Sequence, residues 1–214
     1  MTDDRGPVIP LPSGPDHGSG PLGRVADAFL TAQQGTDAHP EIVMIYNILA
    51  DAPGQAGYAV LRLEDKMWSL APSVADTFDL LVHLATNAEL WEPTEVCRSA
   101  RHRPDGIAMT YRALMVDTST DAGRAIFANH EEGYYRHGDV AAAPAARSVC
   151  FATAVDRAGG SASLVRLDAG GPVEDLRGAF GLPKATRLKS TGVTDTGLVD
   201  LLAAMHARWR RLLT

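Results

Sequence analysis

Two short segments, RSVCFATAV (residues 147–155) and SASLVRL (161–167), are separated only by the glycine-bearing DRAGG. The first carries Val149, Phe151, Thr153 and Val155 and the second Leu164, Val165 and Leu167, and two such runs joined by a tight glycine turn form a β-hairpin. A hairpin commits the chain to antiparallel pairing, because strands joined by a few residues cannot run the same way. A second hairpin is expected in GYAVLRLEDKMWSL (57–70), whose polar break runs from Glu64 to Lys66. The segment GIAMTYRALMVDT (106–118) alternates over most of its length and reads as a long strand. EIVMIYNILA (41–50) is ambiguous: Pro40 ahead of Ile42, Ile45, Tyr46 and Leu49 permits a helix, whereas Ile-Val-Met-Ile-Tyr favours a strand. We read it as a strand.

Helical spacing appears elsewhere. Leu22 to Gln34 places Val25, Phe29 and Ala32 on one stripe. In SVADTFDLLVHLATNAEL, Ser73 and Asp76 are spaced as a capping pair, with Val74, Phe78, Leu81 and Ala85 on one face. The final TDTGLVDLLAAMHARWRRLLT sets Leu198, Leu201, Leu202, Met205, Trp209, Leu212 and Leu213 at helical intervals behind a threonine cap. Shorter helices are expected over Thr118–Asn129 and near Val173 to Phe180.

These readings give an α+β fold, a largely antiparallel sheet of about five to six strands with three main helices packed on it, in the order α-βββ-α-β-(insertion)-ββ-α. The helices are expected on one face or at one end, leaving a helix-free face. Residues 1–21 form a flexible or draped arm, rich in Pro, Gly, Asp and Ser. Residues 22–214 form a single domain with a polar insertion at about 118–146. The element order is similar to the α-βββ-α-ββ-α layout of type III secretion chaperones and YbjN-like domains, with one extra strand and the insertion. That resemblance implies the fold and transfers no functional residue.

The net charge of −6 is unevenly spread. From Lys184 onward six basic residues face two acids, so this segment carries +4 and the remainder −10. Nucleic acid is therefore not the expected partner, since phosphate binding needs a basic surface. The arginines near the C-terminus suit the last turn of a helix, where they offset its dipole. No apolar run approaches the roughly 18 residues of a membrane helix, and the acidic, proline-bearing start lacks the pattern of an export signal. A cytoplasmic chain without a membrane partner is expected, its two cysteines, Cys97 and Cys150, reduced.

The densest chemistry lies in NHEEGYYRHGD, Asn129 to Asp139. His130, His137 and Asp139 are of the ligand types that zinc, manganese or iron take, with Glu131 as a general base. Six residues between the histidines, one of them glycine, do not match the helical H-E-x-x-H spacing that puts two rings on one face. The alternative is a solvated loop in which Tyr134, Tyr135 and Arg136 offer a contact surface, because tyrosine brings a rigid amphipathic face. His102 or His206 would complete a metal shell if the loop folded inward. Cys97, beside Arg98, Arg101 and His102, is the better-placed thiol for nucleophilic chemistry, whereas Cys150 lies inside an apolar strand. His83 and His206 sit on helices as candidate acid/base groups or packed helix-face histidines. GSGPLG (18–23) matches G-x-G-x-x-G, but the proline-broken stretch before it is no buried strand, which the dinucleotide fingerprint requires.

The sequence thus favours a binding or accessory protein, without cofactor, docking a protein partner through its sheet face or the tyrosine-bearing insertion. A metal-dependent hydrolase or isomerase using His130, His137 and Asp139 is the alternative. A homo-oligomer paired through Trp209 and the leucine stripe is a third.

Overall fold

The computed structural model describes residues 8–32, 40–49, 56–61, 63, 74–87, 102–116, 120–131, 142, 146–168, 170–175 and 192–214. In chain order the elements are β1 (Ile9–Pro10), α1 (Gly20–Ala32), β2 (Glu41–Tyr46), β3 (Gly57–Leu61), α2 (Val74–Thr86), β4 (Pro104–Met115), α3 (Asp121–Glu131), β5 (Arg147–Asp156), β6 (Ser161–Leu167), β7 (Glu174–Asp175) and α4 (Gly192–Leu212). The strands form one antiparallel sheet in the order β1-β3-β2-β4-β5-β6-β7. The α+β class is as expected. The second strand of the hairpin expected at 57–70 lies outside the described residues. Among the described residues the sheet has seven strands against the five to six expected, because both edges carry a two-residue strand. One of these lies in the proline-bearing arm, where Pro10 is tolerated because an edge strand can do without its N–H. The other, Glu174–Asp175, stands where a short helix was expected.

Side-chain parity explains the core. In β2 the run Glu41–Tyr46 is buried on both sides, as a central strand of β-branched and aromatic residues should be. Its residues Ile42, Met44 and Tyr46 join Ile107 and Met109 of β4 and Val155 of β5 beneath α2 and α4. The opposite parity, Val43 and Ile45 with Ala108 and Ala154, meets Leu22, Val25 and Phe29 of α1. Helices therefore cover both faces, which corrects the expectation of a helix-free face. Proteins whose central strands are apolar at every position need such two-sided cover, and β2 carried that signal.

The stripe of the last helix is core from Leu198 to Met205. Leu198, Leu201 and Met205 are fully enclosed, Leu202 nearly so, and they pack with Phe78, Leu81 and Ala85 of α2. The two helices approach closely because Gly197 has no side chain; a Cβ there would stand 2.4 Å from the Phe78 ring. Pairing of two chains through Leu198, Leu201, Leu202 and Met205 would require the core to open, whereas Leu213 is exposed and Trp209 and Leu212 are half-buried.

The glycines of GSGPLG serve the entry to α1. Ser19 N–H donates to Asp16 O at 2.8 Å, Gly18 N–H donates to the Asp16 carboxylate at 2.9 Å, and Gly18 and Gly20 have φ of 79° and 57°. Gly23 lets this turn lie against the helix, since a Cβ would fall 1.8 Å from Asp16 O. The bare backbone receives another stretch of the same chain.

Candidate functional site

At the start of β4 the sequence RPDG places Asp105 on the core-facing parity of Ile107 and Met109, and its side chain has 0% exposure. A buried carboxylate is costly unless its lone pairs are filled. Here they are filled from three directions. Arg103 donates through Nε at 2.7 Å and Nη2 at 3.0 Å, one to each oxygen. Arg157 donates through Nε at 3.1 Å and Nη2 at 2.7 Å. Leu49 N–H adds a fifth bond at 3.1 Å.

Local chain chemistry brings these groups together. β2 ends at a register shift after Ile45, and Asn47 then takes φ of 59°, a left-handed conformation that asparagine tolerates better than most residues. Asn47 N–H donates to Arg103 O, and Arg103 N–H donates back to Asn47 Oδ1, both at 3.0 Å. The DRAGG turn aims Arg157. Asp156 accepts at Oδ1 from Ala158 and Gly160 N–H groups, both at 2.8 Å, which curls the turn, and Gly159 supplies φ of 86°. Arg157 N–H then donates to Asp105 O at 3.0 Å.

Burial alone would push the Asp105 carboxyl up, but the hydrogen bonds from Arg103, Arg157 and Leu49 outweigh it and hold the group below the usual carboxylate range. Its lone pairs are spent on these donors, so it is no free base. The arginine side chains remain 31% and 28% exposed, so one buried charge holds two half-exposed guanidiniums at the sheet end. His206 of α4 stands in the field of the cluster, 5.4 Å from the Trp209 ring. Burial lowers its pKa, and Arg157, Arg210 and Arg103 lower it further against the pull of Asp105, so the imidazole is neutral near pH 7. With Arg210 exposed one turn beyond, the region is locally basic on an acidic chain. Such an arrangement suits holding an anionic group more than moving protons.

The residues singled out from the sequence fall elsewhere. His130 and Glu131 end α3, whereas Glu132 to Asp139, including Tyr134, Tyr135, Arg136, His137 and Asp139, lie outside the described residues, as does Cys97. The cap of α3 is Thr120, whose Oγ1 accepts from Gly123 N–H at 3.1 Å; Thr118 also lies outside the described residues. His102 is buried edge-on to Tyr46, and His83 is exposed beside the Asn87 amide. His102 and His206 therefore face separate neighbours. Among the described residues no group of three or more His, Cys, Asp or Glu is gathered for a metal ion.

Cys150 is fully enclosed in β5, and its thiol is pushed up by burial and by Asp168, to which it donates at 3.2 Å. That is the packed, unreactive thiol its apolar strand implied. Sequence reasoning missed Arg103, Asp105 and Arg157. The signal available was parity, an acid at the core-facing end of a long strand with arginine two residues before it.

Compared with protein-family models, curated proteins and solved structures, the chain matches none. Among the described residues no helix is long and apolar enough to cross a membrane.

Proposed function

We propose that the chain is a non-catalytic binding or accessory protein that docks a protein partner, with an acidic segment of that partner meeting Arg157 and Arg210 beside Trp209. The observation that carries this reading is the fully buried Asp105, which fixes two guanidiniums at the surface with about a third of each exposed. Pre-fixed arginine forks lose little further freedom on engaging a carboxylate, and arginine and tryptophan are the side chains that most often anchor interfaces. Charge on the rest of the chain repels acidic partners and so directs them to this end.

The test is co-purification of partners with the full chain and with Arg210→Glu, a substitution at an exposed position that leaves the Asp105 cluster intact. A partner kept by wild type and by Arg124→Glu, but lost in Arg210→Glu and at about 1 M salt, where the Debye length falls to about 3 Å, supports the reading. Equal recovery with Arg210→Glu contradicts it.

A further inference from the structure

The second polar cluster lies about 23 Å from Asp105, seven residues along β4 at about 3.3 Å each, and on the opposite face of the sheet. Arg112, Cys150 and Arg166 pair across β4, β5 and β6, so their side chains form one row on the α1 side. Arg166 is only 4% exposed, and its Nε is sealed from solvent with no hydrogen-bond partner among the described residues. On that face Ala26 and Leu30 of α1 pack with Cys150, Ala152 and Leu164.

The acid at hand is already engaged. Asp168 accepts from Ser148 Oγ at 2.7 Å and Cys150 Sγ at 3.2 Å, and Arg112 Nε lies 3.4 Å away. Asp168 lies in the field of Arg166 but leaves its Nε without an acceptor. Asp168 is thus shared among Ser148, Cys150 and Arg112, and no hydrogen bond joins it to Arg166 Nε. An Nε–H taken out of water without an acceptor is costly to bury, and an anion reaching the Arg166 guanidinium would complete it.

We propose that this end of the sheet binds a small, singly charged oxyanion, a carboxylate or a phosphate, held by Arg166 and Arg112. Guanidinium forks match the paired oxygens of either group. Arg112 at 31% and Asp168 at 24% side-chain exposure open the cluster to solvent. Asp168, fixed by Ser148, opposes a second negative charge on the ligand and so favours monoanions. The site stands apart from the Arg157 and Arg210 surface and does not depend on the reading given to it.

Thermal unfolding of the full chain and of Arg166→Met, at equal ionic strength in chloride, acetate and inorganic phosphate, tests the site. Methionine keeps the bulk of the arginine stem and removes the charge. In chloride the variant should melt no lower than wild type. Acetate or phosphate at about a hundredfold over the dissociation constant should raise the wild-type midpoint by about 5 °C, and should leave Arg166→Met unmoved. A response to one anion alone identifies the ligand class. If Arg166→Met does not fold, Arg112→Gln, at a part-exposed position, gives the same reading: the anion concentration for half the shift rises about tenfold. An unchanged wild-type midpoint in all three salts, or an equal shift in a folded variant, overturns the proposal.

Discussion

The two ends of β4 solve the same problem in opposite ways. At one end a carboxylate with no exposure receives five hydrogen bonds from Arg103, Arg157 and Leu49. At the other a guanidinium with 4% exposure has an Nε that meets no acceptor among the described residues. The first is internally complete, so removing any member leaves the others worse off. The second is incomplete, so removing its arginine should relieve a strain. Burial and charge are alike at the two ends, and satisfaction of the polar atoms is what separates a staple from a site.

The largest expected effect is at the complete end. Asp105→Asn leaves two buried-side guanidiniums facing a neutral amide and should lower unfolding free energy by about 3–5 kcal/mol in urea denaturation, as breaking a buried charge cluster does. A loss below about 1 kcal/mol would mean that water already serves these arginines.

Next is a change that involves no charge and so calibrates the others. Gly197→Ala improves helix propensity by about 1 kcal/mol, yet it drives a Cβ into the Phe78 ring, and overpacking of that kind costs about 1–3 kcal/mol. A net loss of about 1 kcal/mol is expected, and a gain would show that α2 and α4 can separate freely.

Acid should act on the complete end first. The lowered pKa of His206 makes the folded state bind fewer protons than the unfolded state, so stability should begin to fall as pH drops below about 6.5. The lowered pKa of Asp105 contributes stability that is present above the ordinary carboxylate value and is lost as pH falls through the folded value. His206→Gln should remove the upper step and keep the lower one in a pH series of denaturation midpoints. The same upper step in His206→Gln would assign it to another group. The smallest effect concerns Cys150, which in a Cys97→Ser background a thiol reagent should modify only on unfolding; rapid reaction of that native variant would show that the Asp168 cluster opens.

Much of this architecture was legible beforehand. The stripes of α1, α2 and α4 followed from a period of 3.6, and the DRAGG hairpin and the strand Glu41 to Tyr46 from β-forming residues and a glycine turn, signals that depend only on neighbours in sequence. The cover on both faces was readable in the uninterrupted apolar run of β2. What stayed hidden was long-range: Asp105 meets Arg157 from 52 positions away, and neither lies in a motif. Attention went instead to the dense NHEEGYYRHGD, because local crowding of histidine and acid looks like chemistry. Arg112 and Arg166 were visible as charges on core-facing parities of apolar strands, the one local signal of the second cluster.

Arginine-to-methionine substitutions made in parallel at the two ends, with urea denaturation in phosphate-free chloride, test the contrast most directly. Arg157→Met takes two of the five donors from a buried carboxylate and should lose about 2 kcal/mol, whereas Arg166→Met should lose nothing or gain. Equal losses at both positions would show that Arg166 is as fully satisfied as Arg157, and the distinction drawn between the two ends would be wrong.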